Sequence, residues 1–159
     1  MYLMTGRLQA EIKQQAPWGT LEEEAFLNLV RTVDLLSQRG VALLKPFAIT
    51  PTQYNVLRIL RGAGETGLRC AEIGERLVTR DPDVTRLLDR LEKRGVITRV
   101  READDRRVVR SRITESGRDL LGQLDEPVTA LHRETLGHLG RTRLAELIAV
   151  LEGVRLRAG

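Results

Sequence analysis

Apolar residues recur three and four positions apart over most of the chain, a spacing that predicts amphipathic helices. The first such run follows a capping box at Thr20–Glu23 and predicts one long helix from about Leu21 to Lys45. A second box, Thr50–Gln53, carries a proline in the first turn and predicts a helix that continues through Leu60. Both helices are therefore predicted to begin where a threonine side chain accepts from a free backbone N–H.

The clearest amphipathic run lies in the middle of the chain. After a glycine-rich loop over 62–67, a short helix is predicted from Arg69 to Leu77. Asp81 can then cap, and Pro82 can begin, a further helix that Gly95 ends. The apolar positions of this further helix form one stripe and leave its other side polar; they are Val84, Leu87, Leu88 and Leu91. The second helix of the pair therefore has one side for packing and one side free.

A change from helical to alternating spacing predicts a β-hairpin after this helix. Val96–Arg101 and Val108–Thr114 alternate apolar and polar residues on either side of a charged tip. Six arginines lie within the fourteen residues 99–112. The hairpin is therefore predicted to carry a dense set of guanidinium groups.

Helical spacing resumes at Glu115, with a kink predicted at Pro127, and a last helix is predicted from Arg141 to Leu156. This order predicts a mainly α fold with a small β-hairpin wing, in which a winged helix-turn-helix is inserted in a helical frame. The predicted parts of one compact chain are an N-terminal segment with the first long helix, the winged helix-turn-helix, and the C-terminal helices; they span residues 1–48, 49–114 and 115–159.

The charge is concentrated in the predicted winged helix-turn-helix. Between Thr50 and Thr114 there are 15 basic and 10 acidic residues, whereas the rest of the chain holds 11 and 12. Nearly all the basic residues are arginine, which suits phosphates and guanine edges. A basic face is more often plain solvated surface, so the charge favours nucleic-acid binding only together with the order of elements.

The free side of the middle helix is predicted to enter the major groove of DNA, with Thr85 and Arg86 near its amino end. Arg80 and Arg90 are further candidates, although either could instead pair with a nearby carboxylate on the same helix. The hairpin arginines predicted to lie along the backbone or in the minor groove are Arg106, Arg107 and Arg110. For each of them the alternative is a merely solvated side chain.

Three motifs together resemble one known family of proteins. The stretches 49–57 and 84–97, followed by Asp105-Arg106-Arg107 and Ile113-Thr114-Glu115-Ser116-Gly117, are similar to the multiple-antibiotic-resistance-regulator (MarR) family of transcription factors. The resemblance covers about residues 21–156. It implies a homodimer whose first and last helices intertwine, and which binds a pseudo-palindromic operator in double-stranded DNA.

The resemblance also implies roles for particular residues. Asp105 and Arg107 become a wing-tip pair in which the carboxylate orients the guanidinium, and Thr85 and Arg86 become recognition-helix contacts. A small aromatic or phenolic effector, or an oxidant, would release the operator. The aromatic residues at or near the implied ligand cleft are Phe26, Phe47 and Tyr54, for each of which core packing is the competing role. The acidic stretch 80–83 departs from the family pattern, so the operator sequence cannot be taken from relatives.

Catalysis, cofactors and metals are not expected. Cys70 is the only cysteine and is read as a small buried hydrophobe rather than an oxidant sensor. His132 and His138 are six residues apart, on opposite sides of a helix, which does not suit a shared metal. Because no signal peptide or membrane span is apparent, a cytoplasmic protein is expected. The competing function is a winged-helix module that binds another protein without sequence-specific DNA binding.

Overall fold

The computed structural model describes residues 6–102, 105 and 107–158, in two compact units, Met1–Arg39 and Gly40–Gly159. The described helices are α1 (Arg7–Glu11), α2 (Leu21–Leu44), α3 (Pro51–Ala63), α4 (Cys70–Arg76), α5 (Val84–Lys93), α6 (Glu115–Leu136) and α7 (Gly140–Ala158). The strands are β1 (Leu68–Arg69), β2 (Ile97–Arg101) and β3 (Val109–Ile113). The mainly α fold with a small wing is therefore confirmed, whereas the three-part division of the chain stays a prediction.

The first unit contains α1 and most of α2. The predicted cap of α2 is confirmed, because Thr20 Oγ1 accepts from the N–H of Glu23 at 3.1 Å. The Glu23 carboxylate accepts in turn from the N–H of Gly19 at 2.8 Å. The sequence did not predict α1, whose five residues span too little chain to show a periodic pattern.

The second unit begins with the end of α2 and continues through the winged helix-turn-helix. At α3 the capping box is complete, with Gln53 N donating to Thr50 Oγ1 at 3.2 Å and Thr50 N donating to Gln53 Oε1 at 3.0 Å. The α3, α4 and α5 helices then surround a core made almost entirely of aliphatic side chains. Its most deeply buried members are Val56, Leu57, Leu60, Ile73, Leu88, Leu91, Ile97, Leu121 and Leu124.

The predicted start of α5 was wrong by two residues. Asp83, not Asp81, is the N-cap, since its Oδ1 accepts from the N–H of Arg86 at 3.0 Å. Asp81 Oδ1 instead accepts from the N–H of Asp83 at 2.8 Å, and Pro82 lies in the turn between them. Both carboxylates suit a cap, and the turn that joins α4 to α5 decides which of them holds the helix end.

The wing is a three-stranded antiparallel sheet in the order β1-β3-β2, which places Leu68 opposite Ser111 and Arg99 opposite the same serine. The predicted hairpin is confirmed, while the two-residue strand β1 was missed, because Arg69 was predicted to begin the short helix. Gly67 leads into β1 with φ +64°, and a Cβ there would lie 2.6 Å from the carbonyl oxygen of Ser111. The close approach of β1 to β3 therefore requires glycine.

The last two helices were predicted correctly in kind. The α6 helix runs without a break through Pro127, so the kink there stays a prediction. The α7 helix begins at Gly140, one residue before the predicted start, and none of its residues is buried. No helix in the described part of the chain is long and apolar enough to cross a membrane.

Candidate nucleic-acid interface

Helix α5 is packed on one side and free on the other. Leu87, Leu88 and Leu91 are buried, whereas the Arg86 side chain is 72% exposed. Its Nε lies 3.7 Å from Asp83 Oδ2, so the capping carboxylate also restrains the guanidinium. The Arg86 guanidinium is therefore exposed at the amino end of α5, and the opposite side of the helix is packed against the core.

Three further predicted contacts lie at or near this amino end. Thr85 is exposed, and its Oγ1 lies 3.7 Å from the Cys70 Sγ at the start of α4. Arg80 is exposed and lines an open groove of about 830 Å³ with Glu75 and Asp81. Arg90 is exposed one turn further along α5. The four predicted contacts on the helix-turn-helix therefore all reach solvent.

The wing tip is shaped by Asp105. Its Oδ1 accepts from the main-chain N–H of Arg107 at 2.9 Å, and its carbonyl accepts from the N–H of Val108 at 2.9 Å. The resemblance implied that the Asp105 carboxylate pairs with the Arg107 guanidinium. In the structure this carboxylate instead accepts from the Arg107 backbone, because an aspartate two residues before an N–H closes a local turn. The Arg107 side chain is exposed, and Arg106 lies outside the described residues.

Arg110, another predicted DNA contact, is partly buried and held by neighbouring groups of the protein. Its Nε donates to Glu102, and its Nη1 lies 3.3 Å from the Gly67 carbonyl and 3.7 Å from Glu72 Oε2. The side chain is 20% exposed, and the hydrogen bond to Glu102 raises the pKa of Arg110. Its guanidinium joins β3 to α4 and the turn before β1, which leaves it less available to phosphate than Arg107.

Arg94 is a residue that the sequence did not single out. It follows α5 directly, and its Nη1 and Nη2 donate to the carbonyls of Ala48 and Phe47 at 2.7 and 2.6 Å. Charge-assisted bonds of this length are strong, so the end of α5 is held to the segment between α2 and α3. Only the folded chain brings these residues together, because they are 46 and 47 positions apart.

A second cavity of about 310 Å³ lies in the Gly40–Gly159 unit, and its lining residues come from α3 and α6. Arg61 binds Asp125 through two bonds of 2.8 and 2.9 Å, and these hold the pKa of the Asp125 carboxyl below its usual value. The Arg58 guanidinium lies 5.9 Å from the Tyr54 ring centroid, and burial raises the pKa of Tyr54. The remaining lining residues are Val128, Thr129 and His132.

Of the three aromatic residues predicted near a ligand cleft, only Tyr54 lines this cavity. Phe47 is half-buried and packs against the hydrophobic core instead. Phe26 lies in the Met1–Arg39 unit with 65% of its surface exposed. Arg58, Arg61 and Asp125 were not predicted, since the cavity depends on distant parts of the chain, and the paired Arg61 and Asp125 are 64 positions apart.

A MarR family model matches residues 49–109. The HTH-type transcriptional regulator SarZ of Staphylococcus saprophyticus is 32% identical over 117 residues, which cover 73% of this chain and 75% of that protein. The chain belongs to the MarR family.

Two solved structures extend the comparison. The MarR transcription factor from Planctomyces limnophilus is 40% identical with a TM-score of 0.67, over 86% of this chain and 98% of that one. The transcriptional repressor CouR, bound to a 23-mer DNA duplex, is 28% identical with a TM-score of 0.76, over 89% and 99%. This MarR-family chain is a winged-helix, DNA-binding transcription regulator, and the comparisons favour that function over a protein-interaction module.

Proposed function

We propose that this MarR-family regulator is a repressor that binds a pseudo-palindromic operator as a homodimer and releases it when a small ligand binds. The observation that carries the proposal is the free polar side of α5, which presents Arg86 beside a wing whose tip carries the exposed Arg107. A helix with a free polar side suits the major groove of DNA, and a hairpin beside it suits the neighbouring phosphate backbone. Regulation by binding needs no catalytic group, and the proposed place of action is the cytoplasm.

We assign the DNA contacts by the exposure and position of each side chain. Arg86 and Thr85, at the start of α5, are the base-reading pair, with Arg80 and Arg90 beside them. Arg107, and with it Arg106, contacts phosphates or the minor groove. Asp105 shapes the turn that presents Arg107. The bonds of Arg110 favour a role inside the wing over direct contact.

Arg86→Ala is expected to lower affinity for the preferred operator by about 5- to 150-fold, equivalent to about 1–3 kcal/mol, because one guanidinium-to-base contact is lost. The operator is first selected from random duplexes with the unsubstituted protein, and affinities are then measured by fluorescence anisotropy. Selection with the variant should show relaxed preference at one base pair of each half-site. Arg133→Ala removes the same charge from an exposed position on α6 and should leave the preference intact.

Arg107→Ala should behave differently, because a phosphate contact carries no sequence information. It is expected to weaken binding to all duplexes alike and to reduce the slope of log affinity against log salt by about one unit. If Arg86→Ala gave this uniform loss and Arg107→Ala changed the preferred sequence, the two assignments would have to be exchanged.

A homodimer accounts for the surface of α7. This helix has 19 residues and none of them is buried in the single chain, although helices of this length owe their stability mainly to packing. A second copy that covers its apolar residues would supply that packing. It would also present two copies of α5, which a two-fold operator with half-sites about one helical turn apart requires.

The effector site that we propose is the cavity lined by Tyr54 and Arg58. Arg61 is already neutralised by Asp125, so the Arg58 guanidinium is the group offered to an incoming anion. The Tyr54 ring and Val128 provide an apolar surface beside it. These groups suit a small aromatic molecule that carries a negative charge.

Benzoate and benzyl alcohol share a ring and differ in charge, so they are suitable probes. Benzoate is expected to weaken operator binding, and Arg58→Gln should raise the benzoate concentration needed by about tenfold, since one charge-assisted hydrogen bond is worth about 1.5 kcal/mol or more. Operator affinity without benzoate should not change. Equal effects of benzoate and benzyl alcohol, or an unchanged benzoate response in the variant, would remove Arg58 from the site.

A further inference from the structure

Arg99 of β2 joins the wing to helix α5. Its Nη2 lies 2.6 Å from Asp89 Oδ1 and 2.7 Å from Glu92 Oε2, and its Nε donates to Glu92 Oε2 at 2.8 Å. The main-chain N–H of Arg99 also donates to Glu92 Oε1 at 3.1 Å. Glu92 therefore binds both the backbone and the side chain of Arg99 in β2.

These bonds distinguish Arg99 from Arg107 at the tip of the hairpin. Its side chain is 27% exposed, whereas Arg107 at the tip is exposed. Two carboxylates face one guanidinium, so the cluster has a net negative charge and does not attract a phosphate. The hydrogen bond to Glu92 is the main cause of the raised pKa of Arg99. The side chain is built into the protein rather than directed at DNA.

We propose that Arg99 is a positioning residue that sets the angle of the wing to the recognition helix, with Glu92 as its principal partner. The proposal rests on the DNA contacts assigned above, because the angle matters only if α5 and the wing engage one duplex together. The bonds to Arg99 keep the tip in register with the groove that α5 enters.

Glu92→Gln distinguishes positioning from phosphate contact by the sign of its effect. If Arg99 contacted phosphate, removing the nearby negative charge would release the guanidinium and raise operator affinity. A positioning role predicts the opposite, a loss of about fivefold, within the range by which indirect residues change binding. The matched control is Glu75→Gln on α4, which removes the same charge from an exposed residue at the groove and should raise affinity slightly.

A second measurement tests how firmly the wing tip is held in the absence of DNA. In Glu92→Gln, and equally in Arg99→Gln, the amides of Arg107 and Val108 should exchange with deuterium faster than in Glu75→Gln, because the tip is less firmly held. The additional loss caused by Arg107→Ala should also be smaller in the Glu92→Gln background than in the unsubstituted protein. Asp89→Asn tests the other carboxylate. It should change operator affinity and tip exchange in the same direction as Glu92→Gln, but by less.

The outcomes are distinct. A lower equilibrium affinity of Glu92→Gln for the operator, together with faster deuterium exchange at the wing tip, supports the proposal. Unchanged tip exchange, or an affinity of Glu92→Gln equal to or above that of Glu75→Gln, overturns it. Failure of the unsubstituted protein to select any operator would instead reject the proposed function, and tip exchange would still decide whether Arg99 positions the wing.

Discussion

Replacing Ile148 and Val154 of α7 with glutamate is expected to convert the protein to a monomer and to lower operator affinity by about 100-fold or more. Both side chains are about half exposed in the single chain, at 55% and 49%. A dimer interface would bury them, and two carboxylates left unpaired in an apolar interface would be strongly unfavourable. The monomer then offers one reading helix, and the gain from engaging two half-sites together is lost.

Sedimentation at micromolar concentration measures the first effect, and anisotropy on a full operator and on a single half-site measures the second. Thr142→Glu is the control, since it adds one carboxylate at an exposed position of α7 that is already polar. It should stay dimeric and bind the full operator normally. A double variant that sedimented as a dimer, with full operator affinity, would show that α7 is not the dimer surface.

The contribution of α7 illustrates what the sequence could establish. Its apolar spacing predicted the helix well, because periodicity is a local property that needs no partner. The same spacing could not show that the helix would be left without a buried residue in one chain. Whether α7 is buried depends on which other helices and strands pack against it, and this is a property of the whole fold.

The arginines of the wing show the same limit at the level of single side chains. All six were visible as a cluster, yet Arg99, Arg107 and Arg110 have different surroundings in the structure. The carboxylates that separate them, Glu92 and Glu102, are brought close by strand register and by the packing of β2 on α5. Neither relation has a signature in the local residue pattern, so exposure at Arg107 and enclosure at Arg110 could not be distinguished beforehand.

The start of α5 was misplaced for a more local reason. Asp81 and Asp83 both have the side chain of an N-cap, and only the turn conformation decides between them. The choice matters for function, because the cap is also the carboxylate that lies 3.7 Å from the Arg86 guanidinium. A two-residue error in a boundary therefore changes which acidic residue restrains Arg86, the side chain that we propose reads bases.

Gly117→Ala is expected to destabilise the protein by about 3 kcal/mol and to lower its melting temperature by about 6–12 °C, since overpacking a closed site is costly. Gly117 lies in the first turn of α6 beneath the wing, and its N–H donates to the Thr114 side chain at 3.1 Å. A Cβ there would lie 2.2 Å from the Val96 carbonyl oxygen and 2.7 Å from Ile113 Cγ1. Because the first of these is a backbone atom, the main chain just before β2 would have to move.

Gly122→Ala is the matched control, because it makes the same substitution in the same helix at a position with no atom within 4 Å of the new Cβ. It is expected to stabilise the protein by about 0.4–1 kcal/mol, since alanine restricts the unfolded chain and fits the helix. Thermal unfolding is compared at one protein concentration, as the stability of a dimer depends on it. The two glycine variants should therefore move the melting temperature in opposite directions. Equal shifts would contradict the close contact of Gly117 with Val96 and Ile113.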